Sequence, residues 1–204
     1  MSLSNNYRMS FSTGGLFLNE SVELARLHVP GEPWAETQAR ALEKRATQLP
    51  KAASNTRTIR EIKNRISTLS DVELDYLVNE ADRSDQQALL WLACCRAYRF
   101  FREFAVEVIQ DKYVSYQLDL PLESFDVFFD GKAEWNDDLA DLSKSTQLKL
   151  RQIMFRMMRE AGILTDQGQI QRSFVSSRLS ALIEQNAAAE LNYFPGLSIE
   201  GNGT

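Results

Sequence analysis

Apolar residues along this chain recur at spacings of three and four, and strict alternation is nearly absent. That is the pattern of packed amphipathic helices. The strongest stretch covers residues 87–113. At 100° per residue, Leu90, Ala93, Cys94, Ala97, Tyr98, Phe101, Phe104, Ala105, Val108 and Ile109 share one broad side, and Arg96, Arg99, Glu103, Glu107 and Gln110 the other. Leu89, Leu92 and Cys95 intrude on the polar side of the first half, which predicts that other elements wrap it. Ser84-x-x-Gln87 reads as a capping box, so one long core helix is expected from near Asp85 to Tyr113. Arg99 and Glu103 are spaced to pair along it.

The same reasoning places the other elements. A helix is expected over residues 16–27, preceded by Ser12-Thr13-Gly14-Gly15 and stopped by Pro30 and Gly31. Pro33 suits a first helical position and predicts a second helix over 34–49, ended by Pro50. Ile59, Ile62, Ile66 and Leu69 mark a third. Ser70-x-x-Glu73 opens a short acidic helix with Leu74, Leu77 and Val78 inward. Beyond a loop at 114–120, Pro121 begins a short helix in which Phe125, Phe128 and Phe129 are the apolar positions and which Gly131 ends. Residues 132–142 are acidic and partly irregular, anchored by Trp135 and Leu139. Ser143, Ser145 or Thr146 caps a helix that runs to Ala161. Residues 163–171 alternate around Asp166-Gln167-Gly168 and read as a small hairpin. A last helix covers 177–188, and residues 195–204 are expected to be mobile. The expected fold is all-α, mainly a helical bundle, with a small C-terminal winged-helix-like β-hairpin. Residues 1–115 would form the bundle, 116–188 the winged-helix-like module and 189–204 a flexible tail.

Charge changes this picture. The net charge of −5 argues against a nucleic-acid binder only if it is evenly spread. It is not: residues 40–65 carry eight basic and two acidic side chains, residues 119–141 one and eight, and residues 144–178 seven and two. Such segregation makes a basic face on an acidic protein, unless the opposite segments simply face each other. No run reaches the roughly 20 apolar residues of a membrane helix, and MSLSNNYRMS has no apolar signal region. Cys94 and Cys95 are adjacent on a core helix, poorly placed to bond each other, and read as reduced core residues. A cytoplasmic protein, not held in a membrane, is expected.

Candidate chemistry is sparse. His28 is the only histidine and sits at a helix end, so it reads as a helix-terminal residue and not as a base. No Cys–His zinc spacing, phosphate-binding Gly-x-x-x-x-Gly-Lys-Ser/Thr loop or dinucleotide fingerprint is present. Ser12-Thr13-Gly14-Gly15 could cup a phosphate at a helix N-terminus but reads first as a cap and turn. Asp126, Asp130, Glu134, Asp137, Asp138 and Asp141 match no EF-hand spacing and read as a solvated acidic surface. No enzymatic activity, cofactor or metal is expected.

The pattern with most functional content is TQLKLRQIMFRMMREA, residues 146–161. Leu150, Ile153, Met154, Met157 and Ala161 form one face; Lys149, Gln152, Arg156 and Arg159 form the opposite one, spaced 3, 4 and 3. Arg and Lys neutralise phosphates, and Arg and Gln also read base edges. Arg151 stands beside this face. A short helix, an acidic linker, a basic helix and a hairpin follow the order of a winged helix, with residues 167–172, including Arg172, as the wing. Arg57, Arg60 and Lys63, with Arg65, would extend the surface, and Arg96, Arg99 and Arg102 either add to it or rim the core. The expected partner is double-stranded DNA. The alternative for every one of these cations is a solvated helix face.

The sequence resembles the BrxA family of bacteriophage exclusion (BREX) defence systems over most of its length, residues 7–182. The resemblance rests on MSFSTGGLFL-x-ES at residues 9–21, LLWLA-x-CR-x-YRF at 89–100, FA-x-EV at 104–108, KAEW at 132–135 and LRQ-x-x-FRM-x-REAGIL at 150–164. It implies a mostly helical, cytoplasmic protein encoded beside a methyltransferase and ATPases, whose relatives look like DNA-binding proteins without catalytic activity. The contact residues named above come from the helical wheel and not from the family. The competing expectations are an adaptor that docks another BREX component through the acidic segment, and an RNA-binding helical protein.

Overall fold

Five helices build the N-terminal half of the computed structural model, which describes residues 7–12, 14–43 and 52–197. They are α1 (Leu18–Arg26), α2 (Trp34–Glu43), α3 (Ala52–Ile66), α4 (Asp71–Asn79) and α5 (Arg83–Ala97). The capping box at Ser70 forms in full: its hydroxyl accepts from Glu73 N–H while the Glu73 carboxylate accepts from Ser70 N–H. Helix α5 is capped by Asp82, which accepts from Asp85 N–H; Ser84, expected to cap it, donates to the Phe174 carbonyl. Helix α1 starts later than expected, after Phe17 in the left-handed region (φ 56°) with no side-chain cap. The expected end of the second helix at 44–50 lies outside the described residues, as does Thr13 of the first turn.

The long core helix is broken. Tyr98 is extended (φ −125°, ψ 114°), and the run continues as α6 (Arg99–Phe104), a π-helical segment (Ala105–Gln110) and α7 (Asp111–Val114). Packing explains the break. Phe100 and Phe101 are neighbours about 100° apart on a helix, yet both are buried. Phe101 meets Phe11 edge-on at 4.8 Å on the bundle side. Phe100 meets Phe125 and Phe128 at 5.2 Å on α8 (Glu123–Ala133). A straight helix with one apolar stripe serves one core face; the bend serves two. Tyr98 itself is held inward by its hydroxyl, which donates to buried Glu61.

The C-terminal half continues with α9 (Asp137–Ala140), α10 (Lys144–Glu160), α11 (Ser177–Ala187) and a 3₁₀ segment (Ala188–Tyr193). Gly131 lies inside α8 and does not end it. The ammonium of the next residue, Lys132, pairs with Glu103 and Glu107 and sits 4.9 Å from the Phe128 ring centre. The expected two-stranded hairpin does not form. Residues 165–168 do turn, with Gly168 at φ 81°, but only isolated bridges join Leu164 to Ile170 and Asp119 to Gln169, and no strand exists among the described residues. Ile163, Leu164 and Ile170 are all buried, so the segment folds onto the core instead of projecting as a wing. Ser173 N–H then bonds Pro195 O and commits the chain to the C-terminal segment. Within the span expected as tail, Trp91 donates to Tyr193 O, Gln110 donates to Leu197 O and Phe194 is buried. Residues 198–204 lie outside the described set. One continuous apolar cluster runs from Tyr7 to Phe194 through both halves.

Candidate nucleic-acid interface

Helix α10 is fixed from three sides. Ser143 accepts from Thr146 N–H at its start. Leu150, Met154, Phe155, Met157 and Met158 bury its inner face. At its end the Glu160 carbonyl accepts from Gln87 of α5 at 2.7 Å, and the Glu160 carboxylate accepts from Leu16 N–H at 2.6 Å. A Cβ on Gly15 would lie 2.4 Å from that carboxylate, so a larger residue there would make the Glu160 side chain shift. The Leu16 N–H, which a phosphate at this helix start would use, is therefore taken by the protein's own Glu160.

With the inner face tied down, Lys149, Gln152, Arg156 and Arg159 all point to solvent. At 1.5 Å per residue they span about 15 Å of one helix face. Arg156 also gives its Nε–H to Glu160 at 2.7 Å, four residues on, while its side chain stays 62% exposed. Arg151 differs: it is half-buried and paired with Asp126 of α8, so this cation is neutralised by the acidic segment. Asp126 Oδ1 and Arg151 Nε both lack a partner in that pair.

The other predicted cations are not gathered here. Arg57 and Arg60 are exposed and Lys63 half-buried on α3, which packs chiefly on α1, α2 and α5. Arg172 is exposed with its stem over Gly196, beside the C-terminal segment. Arg65 is buried: it donates to Gly15 O at 2.8 Å and pairs with Glu61. Burial pushes the Glu61 carboxyl above its ordinary range, with Arg65 opposing. Arg96 is not a surface cation either. It bridges Glu73 at 2.7 Å and Glu190 at 2.6 Å. Burial disfavours charge on Glu73, but Arg96, Ser70 N–H and Asn186 together hold its carboxyl below the usual range. Arg99 pairs with Glu103 at 2.5 Å, as its spacing predicts, and lies 4.6 Å from the Tyr7 ring centre.

One cation that the wheel reading passed over stands near α10. Arg83, exposed in the first turn of α5, gives an N–H to Asn19 Oδ1 at 2.7 Å. It lines a cleft of about 470 Å³ with Asn19, Gln87, Arg156 and Glu160. Nothing in the sequence ties Arg83 to Arg156, because the two sit on helices that meet only in the folded chain. A smaller cleft, about 280 Å³ between α1 and α4, offers Arg26 beside Asp71 and Asp75, but Arg26 is already paired with Glu23.

The remaining chemistry is structural. The His28 ring stacks on Trp34 at 3.9 Å and bonds the Thr37 hydroxyl at 2.7 Å. Cys94 and Cys95 are free and buried, and burial pushes the Cys94 thiol up to about 11. Among the described residues no three His, Cys, Asp or Glu side chains converge to hold a metal, and no helix is long and apolar enough to cross a membrane.

Comparison with known proteins supplies the context. A profile of the BrxA family matches residues 5–187. The BREX protein BrxA of Bacillus cereus (strain H3081.97) is 31% identical over 96 residues, 46% of this chain. The match spans 48%, about half, of that curated relative. The crystal structure of an uncharacterized protein from Magnetospirillum magneticum superimposes with a TM-score of 0.75 over 90% of this chain and 95% of that one. At 19% identity this is a shared fold.

Proposed function

The chain belongs to the BrxA family, and from that premise we propose that it is a non-enzymatic DNA-binding component of a BREX phage-defence system, contacting duplex DNA mainly through phosphates. The observation that carries this reading is the outer face of α10, where Lys149, Gln152, Arg156 and Arg159 are all exposed on a helix whose inner face and end are fixed. The packed helix carries a row of cations about 15 Å long, so the backbone that presents them to phosphates needs no ordering on binding. The acidic segment, which makes the whole chain anionic, lies on other elements and, among the described residues of α10, pairs with Arg151 alone.

Arg156→Glu combined with Arg159→Glu should abolish a gel shift on unrelated duplexes; parent-like binding would remove α10 as the contact helix. With one phosphate for each of Lys149, Arg156 and Arg159, log K should fall against log salt with a slope of about −3. Competition by structured RNA at fixed salt separates a duplex-DNA reader from an RNA binder.

A second reading has its own observation. Trp135 is 87% exposed and Val127 74% exposed, in the segment that carries Asp130, Glu134, Asp137 and Asp138. Such an apolar and acidic face fits an adaptor that docks another defence component. Neutralising these carboxylates should then release the partner in a pull-down, and undiminished retention would count against the adaptor.

A further inference from the structure

We propose that Arg83 and Arg156 grip one DNA backbone phosphate across the cleft between α5 and α10, so that the DNA-contacting surface extends from α10 onto the N-terminal bundle. This inference rests on the DNA-binding reading of α10. Arg83 is the key residue. It is exposed, makes no ion pair among the described residues, and gives an N–H to the neutral side-chain oxygen of Asn19 at 2.7 Å. That bond orients the guanidinium without cancelling its charge. Arg156 stands on the same cleft and uses only Nε toward Glu160, which leaves its two terminal nitrogens free.

The acidic residues on the cleft wall do not close it to an anion. Both Glu160 oxygens are engaged, one by Arg156 and one by Leu16 N–H, and Glu20 lies in the first turn of α1, where backbone N–H groups offset its charge. The cleft, about 470 Å³, has room for a phosphodiester and part of its sugar. A phosphate between the two arginines would take charge-assisted hydrogen bonds from helices that meet only in the folded chain, and two donors fixed on packed helices hold it in one orientation. Contact at this point would set the angle at which α10 meets the duplex.

The test is a salt titration of duplex binding by the full chain. Arg83→Gln should weaken binding about threefold to tenfold and make the log K versus log salt slope shallower by about 0.9, the value of one phosphate. Arg83→Lys, which keeps the charge, should stay within about twofold of the parent and keep its slope. If Arg83→Gln leaves the slope of the parent while Arg156→Glu loses binding, the cleft holds no phosphate and the α10 reading survives alone. If the parent protein itself binds no duplex, the α10 reading fails, and this inference fails with it.

Discussion

Arg65 and Arg96 of the N-terminal bundle and Arg156 and Arg159 of α10 are the same residue type put to opposite uses. Arg65 and Arg96 are withdrawn from water and surrounded by carboxylates, carbonyls and rings: Arg65 by Glu61, Gly15 O and Tyr98, Arg96 by Glu73 and Glu190. Arg156 and Arg159 lie in solvent on a helix whose other face is buried. A buried pair holds the fold because breaking it strands a charge. An exposed cation contributes little to the fold and is free to meet an anion from outside. Counting basic residues along the chain mixes the two kinds. That is how Arg65 came to be grouped with Arg57, Arg60 and Lys63, and why Arg96 stood as a candidate surface cation.

The sharpest way to break this contrast is to exchange the expected outcomes. Arg96→Ala leaves Glu73 buried without its main partner and should cost about 3–5 kcal/mol in denaturant unfolding, with DNA binding lost only as the chain unfolds. A cost below about 1 kcal/mol would place Arg96 among the surface cations. Next in size, Arg156→Glu with Arg159→Glu should reduce duplex affinity at least a hundredfold, yet keep stability within about 0.5 kcal/mol of the parent. Unfolding of that variant would make α10 a structural helix.

Acid sharpens the contrast further. The folded-state carboxyls of Glu73 and Glu103 are held below their ordinary range. For both, burial opposes charge, and cationic partners with hydrogen bonds outweigh it. Stability from such a group is present above the unfolded pKa and is lost as pH falls through the folded one. The bundle should therefore weaken below about pH 4.3, the ordinary glutamate value, and in Arg96→Gln that acid-side decline should flatten. A thermal melt series from pH 6 to 3 reads both. The smallest effect belongs to the border between the regions. Asp126→Asn releases Arg151 from the acidic segment and should strengthen duplex binding a few-fold while steepening the salt slope by about 0.9. An unchanged slope would keep Arg151 on the structural side.

Much of the architecture was legible in the chain. The helix start at Ser70, the inward Leu150, Met154 and Met157, and the outward Lys149, Gln152, Arg156 and Arg159 all follow from caps and a 3.6-residue period, which are local properties; among Ser143, Ser145 and Thr146 the fold selects Ser143 as the cap of α10. The break at Tyr98 was not legible, because residues 87–113 keep a helical period through it. Only the need to bury Phe100 against α8 and Phe101 against Phe11 bends the run. The hairpin was overread for a similar reason. Alternation around Gly168 describes the turn that forms, but buried Ile163, Leu164 and Ile170 pull its arms onto the core before a strand can extend.

By itself the sequence determined that this is a helical protein with a basic, amphipathic α10, because composition and periodicity act at the range of a few residues. The tertiary structure decided which cations are available. Arg65, Arg96 and Arg151 are withdrawn from solvent against Glu61, Glu73 and Asp126, whereas Arg83 and Arg156, far apart in the chain, stay exposed on one cleft, Arg156 with Glu160 on its Nε alone. Charge is a property of the residue, but a cation's freedom to bind depends on what the fold places within about 4 Å of it.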